Sequence, residues 1–124
     1  MIVRRTDEFA IHLIRGDTYT FCIELDGNIA SADIKNVTLT VKRTPQHATV
    51  ILQKTLGDGI ELLSESIAAN GKTTLKYKFK IEHNDTKDIP VKGYYYDVSF
   101  KMTNNEYYTP LRGRFCVDYD ITMD

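Results

Sequence analysis

The eight residues Leu75-Lys76-Tyr77-Lys78-Phe79-Lys80-Ile81-Glu82 carry an apolar side chain at every odd position and a charged one at every even position. A β-strand turns successive side chains to opposite faces, so this segment buries one face and wets the other. On a helix the same lysines would surround the rod and leave no apolar stripe. The alternation recurs along the chain, which restricts it to sheet structure around a shared interior.

Read this way, strands are predicted at residues 9–14, 19–25, 37–42, 50–55, 60–63, 74–82, 93–102 and 106–118. Turn chemistry separates them: Arg15-Gly16-Asp17-Thr18, Asp26-Gly27-Asn28 and Asp58-Gly59 all supply turn-forming residues. Asn104-Asn105 is expected to make a two-residue type I′ hairpin, since Asn tolerates the left-handed backbone. Pro45 ends the third strand and Pro110 belongs at an edge or bulge, because proline cannot donate to a ladder. Residues 64–69 read as an irregular lead-in before the Asn70-Gly71 turn. Residues 84–89 read as a single helical turn, capped by Asn84 or Asp85 and stopped by Pro90.

About eight strands joined mostly by short turns imply an all-β antiparallel sandwich or barrel, not a βαβ sheet. Spacing alone leaves both open, and the sandwich is preferred. Shared parity places Phe21, Ile23, Leu39, Val41, Tyr77, Phe79, Tyr96, Val98, Phe115 and Val117 inside. The length of 124 residues suits one domain spanning 1–124.

Parity also decides the cysteines. Cys22 shares a face with Thr20 and Glu24, and Cys116 shares one with Arg112, Arg114 and Asp118. Two outward cysteines cannot bridge the core as an immunoglobulin disulfide does, so free thiols are expected, in line with a reducing compartment.

The composition is 42% hydrophobic and 27% charged, which suits a globular chain. A net charge of −1 lacks the basic footprint of a nucleic-acid binder. The first eight residues contain no long apolar run, so neither a secretory signal nor a membrane span is expected there, and synthesis in a cytoplasm follows. Asn36-Val37-Thr38 and Asn84-Asp85-Thr86 match glycosylation acceptors but need a secretory route to be used.

Catalytic constellations are not expected. His12, His47 and His83 are far apart and have no Cys or second His at ligand spacing, which argues against a metal. No serine lies in a Gly-x-Ser-x-Gly elbow. Asp118 and Asp120 read as one solvated strand face. Gly57-Asp58-Gly59 is too short for a phosphate loop, and Arg15-Gly16-Asp17 reads as a turn before an adhesive tripeptide. The chain is therefore read as a non-enzyme without cofactor or metal.

Aromatics are the most functional-looking feature: eight tyrosines, five phenylalanines and no tryptophan. Tyr94-Tyr95-Tyr96 and Tyr107-Tyr108 fall on strands that a hairpin makes neighbours. Tyr94 and Tyr96 have core parity, and Tyr94 is placed to form a tyrosine corner at the preceding crossover. Tyr95, Tyr107 and Tyr108 are the candidate interface residues, because tyrosine offers large contact area at little rotamer entropy. The alternatives are incidental cover of a sheet face and a sugar platform, the latter weakened by the lack of tryptophan.

Three stretches form a wider pattern: Ile14-Arg15-Gly16-Asp17-Thr18-Tyr19-Thr20-Phe21; Leu52-Gln53-Lys54-Thr55 with Asp58-Gly59-Ile60; and Asp85-Thr86, Ile89-Pro90, Gly93, Tyr94-Tyr95-Tyr96-Asp97-Val98, Gly113-Arg114-Phe115 and Asp120-Ile121-Thr122. Together they resemble small bacteriophage and prophage structural proteins and are similar to the N-terminal domain of phage baseplate upper proteins. The resemblance runs from Leu13 to Thr122. It implies an immunoglobulin-like β-sandwich in a virion, assembled in the bacterial cytoplasm and docked to other tail or baseplate subunits and to copies of itself. Lys92 before Gly93 departs from the pattern. Receptor binding is not carried over, since the family's head region has no counterpart after the last strand. A bacterial carbohydrate- or surface-binding sandwich is the rival reading.

Overall fold

The computed structural model describes residues 2–5 and 10–119, with side chains from residue 10 onward. The strands are β1 (Ile2–Arg5), β2 (Ile11–Ile14), β3 (Tyr19–Gly27), β4 (Ile34–Lys42), β5 (Val50–Leu56), β6 (Gly59–Ile67), β7 (Thr73–Ile81), β8 (Gly93–Met102) and β9 (Tyr107–Asp118). A 3-10 turn at Ser31–Asp33 leads from β3 to β4, and one helical turn, α1 (His83–Thr86), from β7 to β8. Phe9, Asp120, Ile121 and Thr122 lie outside the described residues.

Hydrogen bonding orders the nine strands β1-β3-β7-β6-β5-β4-β8-β9-β2. The β2/β9 and β5/β6 pairs are parallel, and the others are antiparallel. The β5/β6 contact is confined to Thr55↔Gly59 and Leu56↔Ile60. It is the seam where a four-stranded sheet, β1-β3-β7-β6, meets a five-stranded one, β5-β4-β8-β9-β2. Strands β1 and β2 belong to opposite sheets, as the two halves of a first strand that switches sides do. This is an immunoglobulin-like sandwich, nearly closed at the seam.

All ten residues expected inside are buried. Phe21 and Phe79 face each other across β3 and β7 and stack with ring centroids 4.8 Å apart. Tyr77 meets Phe100 of the other sheet edge-on at 5.9 Å, a geometry that suits the positive ring edge against a negative face. Cys22 and Cys116 are free and half-buried on the outer faces of β3 and β9. Tyr96, two residues after Tyr94, takes the core position that a cysteine holds in antibody domains.

Local structure departs from expectation in four places. The helical turn is His83–Thr86 with Glu82 at its N-cap, not 84–89 capped by Asn84 or Asp85; Asp85 lies inside it at the third position. Residues 64–67 are not an irregular lead-in but continue β6, paired with β7 as far as Ile67↔Thr73. The alternation fails there because β6 diverges from β5, so side chains from Glu61 to Ile67 are exposed on both faces. A bulge at Leu63 also shifts the register. The β8–β9 hairpin has a three-residue loop, Thr103–Asn105, instead of a type I′ pair. Asn105 N–H donates to Met102 O, Met102 N–H donates to Glu106 O, and Asn105 alone takes a left-handed φ of 68°, as in a type I turn with a following bulge. Finally, Ile2–Arg5 forms a short strand against β3 that four residues without alternation did not reveal. Pro110 does sit at a bulge, where Thr109 and Pro110 oppose the single residue Ser99 between the pairs Val98↔Leu111 and Phe100↔Tyr108.

Candidate functional site

Gly16, Lys54, Gly59, His83, Asp85 and Thr86 gather at one pole of the sandwich. Gly16 turns with φ of +84°. Its N–H donates to the Thr86 hydroxyl at 2.8 Å, and its carbonyl oxygen lies 2.6 Å from His83 Nδ1. Asp85 accepts from the Glu82 N–H at 2.7 Å, capping α1, and pairs with Lys54 Nζ at 2.8 Å. Lys54 points inward from β5, and its stem crosses Gly59, where a Cβ would stand 2.7 Å from Lys54 Cδ. The Tyr94 hydroxyl donates to Pro90 O, the expected tyrosine corner. These residues hold the crossovers in place. Among the described residues no group of three His, Cys, Asp or Glu side chains converges as metal ligands would.

The outer face of the five-stranded sheet offers a different chemistry. Cross-strand register sets side chains in rows. Lys42, Tyr95 and Arg114 form one, across β4, β8 and β9; Thr40, Asp97 and Arg112 form the next. These six line one shallow groove. Arg114 donates to the Tyr95 hydroxyl at 3.2 Å and lies 4.6 Å from the ring centroid, within cation–π range. The same guanidinium lies across Gly93, where any Cβ would collide with it. Gln53 of β5 extends the second row, 3.4 Å from the Thr40 hydroxyl.

Tyr107 is on this face too, 63% exposed and opposite Lys101, whose ammonium is 5.5 Å from the ring. Six residues along β8 separate Lys101 from Tyr95, about 20 Å at strand rise. Tyr108 points elsewhere, into a recess at the open end of the sandwich lined by Ile29, Asp33, Met102 and Pro110. Its hydroxyl donates to the Glu106 carboxylate, which raises the phenol's pKa. The three predicted tyrosines therefore do not form one patch. What sequence reading missed is the company of Tyr95. Arg112 and Arg114 share a face by parity, and the expected Asn104-Asn105 hairpin register already sets them opposite Asp97 and Tyr95; the bulge at Pro110 restores that register after the longer loop.

No family model and no curated protein matches the chain. Among solved structures it is similar to the fibronectin(III)-like modules of Clostridium thermocellum CbhA, with a TM-score of 0.51 and 11% identity over 98% of this chain and 100% of that one. Weaker likenesses are to the SrpA adhesin of Streptococcus sanguinis, with a TM-score of 0.47 and 10% identity over 95% of this chain and 57% of that one. A family 123 glycoside hydrolase from Clostridium perfringens has a TM-score of 0.47 and 16% identity over 89% of this chain and 23% of that one. At such identities the likeness concerns fold. The chain has the fold of an immunoglobulin-like, fibronectin III-like β-sandwich module.

Proposed function

We propose that the chain is a non-enzymatic docking module, a structural subunit of a bacteriophage or prophage tail or baseplate. The observation that carries docking is the outer face of the five-stranded sheet, where Tyr95 and Tyr107 stand beside Arg114, Arg112 and Lys101. Tyrosine and arginine are the residues that protein interfaces concentrate at their centres. The particle setting draws on the motif resemblance from Leu13 to Thr122. Its partners are other tail or baseplate subunits and neighbouring copies, arranged by particle symmetry, and its location is the virion. Replacing Tyr95 and Tyr107 by alanine should leave the fold intact and reduce incorporation into particles. Equal incorporation of the folded variant overturns this face as the docking surface. Absence of the native protein from purified particles overturns the particle setting.

The second reading is a bacterial carbohydrate- or surface-binding module. It draws on the groove at Tyr95, where a ring lies among the polar groups of Thr40, Asp97 and Arg112. Specific binding on a glycan array, lost with Tyr95→Ala, would favour it over subunit docking.

A further inference from the structure

The groove around Tyr95 is basic in a chain whose net charge is −1. Lys42, Arg112 and Arg114 line it against the single carboxylate of Asp97. Among the described residues, neither Lys42 nor Arg112 has an ion-pair partner. Arg114 is held by Tyr95 instead of by an acid. Guanidinium groups present planar, paired donors that fit a carboxylate, and the tyrosine fixes one of them in advance.

Spacing narrows the ligand. Arg112 and Arg114 are alternate residues of one strand, so they stand about 7 Å apart on the same face. Alternate side chains of an extended polypeptide have the same separation. Lys42 lies two strands away in the Arg114 row, about 10 Å off, with Tyr95 between them as an apolar floor. Building on the docking reading, we infer that this groove receives an extended acidic segment of a partner protein, laid along β9 with alternate carboxylates on Arg112 and Arg114. An aromatic or aliphatic side chain from the segment would cover Tyr95.

The chain contains its own control. Lys76, Lys78 and Lys80 make a basic stripe on β7, on the outer face of the other sheet, without arginine or tyrosine and with Lys78 3.6 Å from Glu61 and Lys80 3.7 Å from Glu82. Fluorescein-labelled hexaglutamate, titrated at about 0.15 M salt where long-range attraction is screened, should bind the wild-type protein. R112Q/R114Q should weaken binding about tenfold or more, and K76Q/K78Q/K80Q should leave it within about twofold. Because Arg114 also packs on Tyr95, K42E serves as a second variant, and it should weaken binding without touching that contact. Equal loss from both basic stripes would mean unspecific charge attraction and overturn the inference. So would binding of a heparin hexasaccharide in place of the peptide, or no binding at all. Particle incorporation without peptide binding removes the acidic segment alone. Peptide binding by a protein absent from particles keeps the groove and removes the particle setting.

Discussion

The Tyr94 hydroxyl donates a hydrogen bond to the carbonyl oxygen of Pro90 at 2.6 Å. Tyr94 is fully buried at the first inward position of β8. The bond ties the crossover from β7 to the strand it feeds, and so sets where Tyr95 emerges on the outer face. Burial raises the phenol's pKa, with Arg43 opposing, so the donor stays protonated. Tyr94→Phe keeps the ring and removes the donor. It should cost about 1–2 kcal/mol, because Pro90 is near enough to solvent for water to replace part of the bond. Urea denaturation measures this, and an unchanged midpoint would make the corner energetically neutral.

Phe79 is fully buried and stacks on Phe21. Truncation to alanine removes a ring from the centre of the four-stranded sheet and leaves a cavity that flanking strands cannot fill. The expected loss is on the order of 3–5 kcal/mol. A loss below about 1 kcal/mol would place Phe79 outside the interior and contradict the β3/β7 register.

The fold was legible wherever one strand face met the core. Residues 74–82 and 93–102 alternate because β7 and β8 lie mid-sheet with one wet face. Residues 64–67 were illegible for the converse reason: as a divergent edge, β6 gives neither face a core to match. The Asn104-Asn105 loop was misread by one residue, since the same asparagines serve a left-handed site in either hairpin type. At the candidate site, Tyr95 could be picked out from the sequence as an outward aromatic. Its neighbours were within reach of the same pattern: a two-residue Asn104-Asn105 loop pairs Thr103 with Glu106, and so Tyr95 with Arg114 and Asp97 with Arg112. In the structure the three-residue loop moves that register by one and the bulge at Pro110 restores it.

Alkaline pH should destabilise the protein through Tyr77. Burial, followed by the nearby Glu65 carboxylate, pushes its phenol up to about 12. In the unfolded chain it titrates near 10. Below that pH both states hold the proton and the stabilisation is fully present. As pH rises from about 10 to about 12 the unfolded state alone loses its proton, and stability falls by about 2 kcal/mol. Tyr77→Phe should flatten this decline, leaving the smaller contributions of Tyr94 and Tyr108. Urea midpoints at pH 9 and 11 for both proteins test it, and parallel declines would remove Tyr77 as the cause.

Cys22 and Cys116 sit on the outer faces of opposite sheets, half-buried and free. Both should react with a thiol reagent in the unreduced protein, completely once it is unfolded. An intramolecular Cys22–Cys116 bridge found by mass spectrometry would require a different strand register.

The Lys54–Asp85 pair should prove to be coupled with the turn that crosses it. Both side chains are largely buried, at 10% and 18% exposure, and Asp85 also caps α1. Lys54→Met keeps the stem over Gly59 and leaves Asp85 without its cation. Asp85→Asn keeps the cap and leaves Lys54 charged and inward. Removing one member of a fully buried pair typically costs about 3–5 kcal/mol; with partial access to water, about 2–3 kcal/mol is expected for each. The double variant has no stranded charge, so its loss should fall below the sum by about 1–3 kcal/mol. Simple additivity would show that the ion pair contributes nothing. Gly59→Ala provides the independent check. Its Cβ would displace the lysine stem, and the backbone there has φ of +92°. It should be destabilising in the wild-type background, and less so beside Lys54→Ala, where the stem is gone and only backbone strain remains.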